Sequence, residues 1–119
     1  MILLVEDEAI ARCAFAQTLR SEGHEVMEAA DGNEALTLLE KSHFDLVITD
    51  MVMPKPNGLT LITQIRAKWP GTPILLMSAY VSENAGKTIL AGEAEFIHKP
   101  IDPPTLIATV QRLLSLRSN

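Results

Sequence analysis

The sequence predicts an α/β fold in which five short strands alternate with helices around a parallel sheet. Three observations carry this. Apolar runs recur at Ile2 to Val5, Glu25 to Met27, Leu46 to Ile48, Ile74 to Met77 and Glu95 to Ile97. Longer segments with the apolar spacing of helices separate them. The runs at Ile2, Leu46 and Ile74 are apolar at every position, as central strands covered on both faces must be.

Each helix has its own start and stop signals. The first follows Glu8, with Ala11, Ala14, Phe15, Thr18 and Leu19 expected on its buried face, and ends at Gly23, a residue suited to a left-handed C-cap. Asp31, with Glu34 three residues on, resembles a capping box. It opens a second helix that buries Ala35, Leu38 and Leu39 and ends near Ser42. A third follows Asn57-Gly58, carries Leu61, Ile62, Ile65 and Trp69, and is stopped by Pro70-Gly71. The stretch from Val81 to Gly92 is weakly amphipathic and interrupted by Gly86, so a frayed helix is expected there. The last begins at Asp102-Pro103, an N-cap followed by proline in the first turn, and buries Leu106, Ile107, Val110, Leu113 and Leu114.

Bulk properties narrow the function. At 119 residues the chain fits one domain, residues 1–119, and it has no repeats, linkers or low-complexity tracts. Hydrophobic residues make up 47% and charged residues 21%, the balance of a folded protein. Acidic side chains outnumber basic ones by 15 to 10, a net charge of −5 that repels phosphate backbones and argues against direct nucleic-acid binding. Cys13 has no cysteine to pair with and is expected to be a small buried filler in a reducing, cytoplasmic setting. No apolar run approaches the roughly 18 residues of a membrane span, and no charged segment precedes Ile2, so neither membrane insertion nor a leader is expected.

In an open parallel α/β sheet, ligands bind at the carboxyl ends of the strands. The residues that follow the apolar runs are polar: Glu6-Asp7-Glu8 after the first, Thr49-Asp50 after the third, Ser78-Ala79-Tyr80 after the fourth, His98-Lys99-Pro100 after the fifth. Carboxylates gathered at one point repel each other unless a cation compensates, and hard oxygen donors suit Mg2+ (or Mn2+). A carboxylate can also attack phosphorus to form an acyl phosphate when metal and ammonium neutralise the transferring group. Lys99 supplies the ammonium, Ser78 a hydroxyl for a phosphoryl oxygen, and Ala79 leaves the approach open. Singly, each has a plainer explanation. Acids favour helix starts, Asp50 could end a strand, and Lys99 could be a surface lysine. Their joint spacing selects the chemical reading. His24, His43 and His98 follow no ligand spacing.

Together, Val5-Glu6-Asp7-Glu8, Asp50-Met51-Val52-Met53-Pro54 with Gly58, Ser78-Ala79-Tyr80 and Lys99-Pro100 resemble the signature of response-regulator receiver domains. The resemblance covers nearly the whole chain. It implies a flavodoxin-like, doubly wound (βα)5 fold with strand order 2-1-3-4-5. It further implies that Asp50 takes a phosphoryl group from the phosphohistidine of a histidine kinase or phosphotransfer protein. Glu6, Asp7, Asp50 and the backbone carbonyl of Val52 would hold Mg2+. Ser78 and Phe96 would be the switch pair, the aromatic turning inward when the Ser78 hydroxyl is drawn to the phosphoryl group.

The chain departs from the family pattern in places. Glu6-Asp7 stands where many relatives carry two aspartates, and Phe96 lacks a tyrosine hydroxyl. Val52 and Tyr80 occupy positions that tune water attack on the acyl phosphate, and neither offers a water-orienting carboxylate or amide, so slow self-dephosphorylation is expected. A receiver of this kind is a signalling switch and no independent enzyme, passing its state to a downstream protein or fused output domain. A haloacid-dehalogenase-type phosphatase would want an aspartate two residues after Asp50, where Val52 stands. A flavin module would want a phosphate-cradling loop in place of Glu6-Asp7-Glu8. A docking-only receiver would not need Asp50, Ser78 and Lys99 intact. The chain reads as a stand-alone receiver, the receiver of a hybrid kinase, or a piece of a longer regulator. A homodimer is possible through the Val81 to Gly92 segment, the fifth strand and the last helix, where the family usually docks.

Overall fold

The computed structural model describes residues 1–51, 58–78 and 94–118. Five strands, β1 (Ile2–Val5), β2 (Val26–Ala29), β3 (Leu46–Asp50), β4 (Ile74–Ser78) and β5 (Glu95–His98), form one parallel sheet in the order β2-β1-β3-β4-β5. Four helices lie among the described residues: α1 (Ala9–Ser21), α2 (Gly32–Lys41), α3 (Gly58–Lys68) and α4 (Pro103–Ser118). The helix expected between Val81 and Gly92 lies outside the described residues.

Side chains alternate between two cores, as the strand period of two requires. Leu3, Val5, Val47, Ile74, Leu76 and Phe96 pack with Ala35 and Leu39 of α2 and Leu61, Ile62 and Ile65 of α3. Ile2, Leu4, Ile48, Leu75, Met77 and Ile97 pack with Ala16 and Leu19 of α1 and Leu106, Val110 and Leu113 of α4. Burial on both faces explains why β1, β3 and β4 carry nearly unbroken apolar runs.

Helix ends follow the predicted chemistry. Asp31 caps α2 by accepting from the Glu34 amide at 2.8 Å. Asp102 accepts from the Thr105 amide at 3.2 Å and from its hydroxyl at 2.8 Å, ahead of Pro103. Gly23 sits at φ +90° just past α1, a conformation that costs other residues energy.

Three expectations need correction. The second strand runs Val26–Ala29 instead of Glu25 to Met27, and it includes Glu28. Cys13 is exposed, not buried, and so is Ala14. The inward stripe of α1 is Arg12, Phe15, Ala16 and Leu19, spaced for one helix face, which turns Ile10, Cys13, Ala14 and Gln17 outward. Both shifts have one cause. The Arg12 guanidinium lies between α1 and β2, paired with Glu28 at 3.4 Å, so a charge occupies an inward position of the helix and its partner an inner position of an edge strand.

Candidate functional site

The chain turns back on itself at β1: β2 lies on one side, and β3, β4 and β5 lie on the other. The carboxyl ends of β1 and β3 flank this reversal, where ligands bind in open α/β sheets. Glu6 and Asp7 follow β1 directly, and Asp50 is the last residue of β3, in register with Met77. The ladders run past the strand ends, through Glu6 N–H to the Ala29 carbonyl (3.0 Å), Met51 N–H to that of Met77 (2.8 Å) and Lys99 N–H to that of Ser78 (2.8 Å). Backbone pairing therefore fixes the site residues to the sheet and not to free loops.

Lys99 Nζ donates to Asp50 Oδ2 at 2.9 Å and reaches Glu6 Oε2 at 3.5 Å. Glu6, Asp7 and Asp50 each bring a carboxylate oxygen within 4.8 Å of the others. Glu6 is 1% exposed and Asp50 7% exposed, whereas Asp7 faces solvent. Lys99 thus pairs with two of these three carboxylates, Glu6 and Asp50. The imbalance appears in the titration of Glu6, pushed up from 4.5 to about 7 by burial, then by the hydrogen bond and charge of Asp50, with Lys99 only partly compensating. Burial works against the Lys99 charge, yet Asp50 and Glu6 outweigh it and hold that pKa above the usual lysine value. A hard divalent cation fits such a set, since all the donors are oxygens and negative charge is in excess.

The alternative view of Glu6-Asp7-Glu8 as a capping turn is not met by its side chains. Glu8 is the N-cap of α1, and its side chain makes no capping bond.

Ser78, fully buried at the end of β4, follows the parity of Ile74 and Leu76 and therefore belongs to the sheet face covered by α2 and α3. Phe96, 8% exposed, packs on the same face and meets the His98 ring edge-on with centroids 6.5 Å apart. Glu6 and Asp50 continue the opposite parity, that of Leu4 and Ile48. Val52, Ala79 and Tyr80 lie outside the described residues. The Lys99–Pro100 peptide is cis.

Sequence reading missed Arg12, which donates to the Glu6 carbonyl at 2.8 Å. The available signal was its position, one turn into α1 on the stripe shared with Phe15, Ala16 and Leu19. A charged residue there needs a buried partner.

Comparison with known proteins agrees with this geometry. The model of the response regulator receiver domain family matches residues 2–111. The response regulator protein FleR of Pseudomonas aeruginosa is 37% identical over 112 residues, covering 93% of this chain and 24% of FleR. The sensor kinase CckA of Brucella abortus is 37% identical over 117 residues, covering 95% of this chain and 12% of the kinase. The chain thus spans a quarter or less of both relatives. A CheY-like response regulator receiver domain protein from Methanospirillum hungatei superposes with a TM-score of 0.90 at 27% identity, covering 98% of this chain and 94% of that one. That superposition takes in the five-stranded parallel sheet described above, in the order β2-β1-β3-β4-β5.

Proposed function

Because this chain belongs to the response regulator receiver family, we propose that it is the phospho-accepting element of a two-component relay, with Asp50 as the acceptor. The observation that carries the proposal is the 2.9 Å contact of Lys99 with Asp50 beside the Glu6 and Asp7 carboxylates. One Asp50 oxygen attacks the phosphorus of a partner's phosphohistidine. A P–O bond forms as the P–N bond breaks, and the departing imidazole nitrogen takes up a proton. Lys99 neutralises charge gathering on the phosphoryl oxygens, and the Ser78 hydroxyl donates to one of them. Burial of Asp50 and Glu6 strengthens these interactions by excluding water. Glu6, Asp7, Asp50 and the Val52 carbonyl would hold Mg2+, which supplies further neutralisation when bound. A rotation of Ser78 toward the phosphoryl group lets Phe96 move inward, and the exposed surface around His98 reports the change to a kinase, a downstream protein or a fused output domain.

The test is intact mass after incubation with acetyl phosphate and Mg2+, beside Asp50→Asn and an EDTA control. A gain of about 80 Da that both controls abolish is the expected result. No gain in folded, Mg2+-supplied protein refutes Asp50 as the acceptor.

A further inference from the structure

Glu6 has both of its backbone polar groups held. Its N–H donates to the Ala29 carbonyl of β2 at 3.0 Å, and its carbonyl accepts from Arg12 of α1 at 2.8 Å. The same guanidinium pairs through Nε with Glu28 at 3.4 Å. Glu28 is gripped a second time by Arg20 at 3.1 Å, and Arg20 also donates to the Val26 carbonyl at 2.8 Å. An Arg-Glu-Arg chain therefore braces α1 against the sheet edge and ends on the backbone carbonyl of Glu6, whose side chain belongs to the candidate cation site.

That atom matters because the Glu6 carbonyl lies in the peptide plane that leads into Asp7. Asp7 is exposed, and its side chain has no hydrogen bond among the described residues. Among the described residues, its orientation comes through the backbone. Holding the Glu6 carbonyl fixes the plane from which the Asp7 carboxylate is launched, and it also keeps the Glu6 side chain turned toward Asp50 and Lys99.

We propose that Arg12 is a positioning residue for the cation site: it orients Glu6 and Asp7 through the Glu6 carbonyl, and Glu28 orients Arg12. The inference rests on the reading of Glu6, Asp7 and Asp50 as cation ligands. Partners of this kind, one step removed from a metal, set affinity without touching the ion.

Mg2+ titration of the 119-residue chain by calorimetry, paired with thermal melts, separates orientation from bracing. Arg12→Ala is expected to weaken Mg2+ binding about tenfold, and Arg12→Lys, which keeps one donor within reach of the carbonyl, to recover part of it. Arg20→Ala is the structural control. It loosens the same helix-to-strand brace and leaves Arg12 on Glu6, so its melt drops while its Mg2+ affinity holds. Glu28→Gln keeps a full-length side chain and supplies a milder weakening if Arg12→Ala does not fold. Unchanged affinity in Arg12→Ala or, where that variant does not fold, in Glu28→Gln overturns the proposal, as does equal weakening in Arg12→Ala and Arg20→Ala. A wild-type protein that does not bind Mg2+ at all refutes the underlying cation-site reading instead.

Discussion

Replacing Glu6 with glutamine is expected to stabilise the metal-free protein near neutral pH and to flatten its stability across the acid range. The Glu6 carboxyl is pushed up to about 7 in the folded protein from its ordinary 4.5, by burial first and then by Asp50, against the pull of Lys99. Between these values the folded state holds a proton that the unfolded chain has lost, so stability falls as pH rises. The contribution of the protonated carboxyl is fully present below the unfolded value of 4.5 and gone above the folded value of about 7. At about 1.4 kcal/mol per pKa unit the ceiling is about 3 kcal/mol, lost between about pH 4.5 and about pH 7. Other shifted groups titrate outside this window. Lys99, raised, loses its contribution only at alkaline pH, and Asp102, lowered by Thr105, loses its own only in stronger acid. Urea denaturation in EDTA at several pH values measures the effect through the midpoint at constant slope. Wild-type stability should decline from about pH 4.5 to about pH 7 while Glu6→Gln stays level and ends above it. Added Mg2+ should then narrow the gap by stabilising the wild type more. A wild type whose stability is flat or rises across the range, or a Glu6→Gln variant no more stable at the upper end, refutes the crowding of carboxylates as the cause.

Lys99→Ala should slow phosphorylation from acetyl phosphate by roughly 100-fold, followed by phosphoprotein mass against time, because it removes the ammonium facing the transferring group. Leu76, fully buried in the core under α2 and α3, should cost roughly 3 kcal/mol as Leu76→Ala in urea denaturation, with the Mg2+ affinity retained. Asp31→Ala leaves the Glu34 amide without its partner and should cost about 1 kcal/mol by the same assay. The phosphoryl group on Asp50 should persist for minutes or longer in Mg2+ buffer, given Val52 and Tyr80, and a lifetime of seconds by mass spectrometry would exclude this.

The fold was legible where burial is two-sided. β1 and β4 are marked almost to the residue by their apolar stretches because helices cover both faces, whereas β3 extends past its apolar stretch to take in buried Thr49 and Asp50. β2 was misplaced because it is an edge strand, and Glu28 within it reads as a strand breaker until Arg12 and Arg20 are seen to bind it. In α1, Phe15 and Leu19 face the core as expected, while Ala14 is exposed and Arg12 and Ala16 take the inward positions beside them. Ile10, Cys13, Ala14 and Gln17 have helical spacing as good as that of Arg12, Phe15, Ala16 and Leu19, and pattern alone assigns the arginine outward. The meeting of Glu6, Asp50 and Lys99 follows from strand-end position, which a sequence displays. The raised pKa of Glu6 does not, because it depends on burial created by neighbouring strands.

The ladder also constrains how the proposed switch can move. The Ser78 carbonyl is held by the Lys99 amide at 2.8 Å, and the preceding carbonyl, that of Met77, is held by the Met51 amide at 2.8 Å. Ser78 is thus clamped by the amide of Lys99 itself and, through Met77, by that of Met51, the residue after Asp50. Its backbone cannot shift without breaking two buried ladder bonds, each worth about 1 kcal/mol and more if left unsatisfied. The movable part is the hydroxyl, through rotation about its first side-chain torsion. Asp50 and Ser78 belong to opposite parities of the sheet, so a phosphoryl group on Asp50 reaches the hydroxyl only around the strand ends. Phe96 lies on the Ser78 side, in contact with the exposed His98 ring. A displacement of Phe96 would therefore alter the exposed His98 ring, which makes the His98 ring resonances a direct spectroscopic test of the proposed switch.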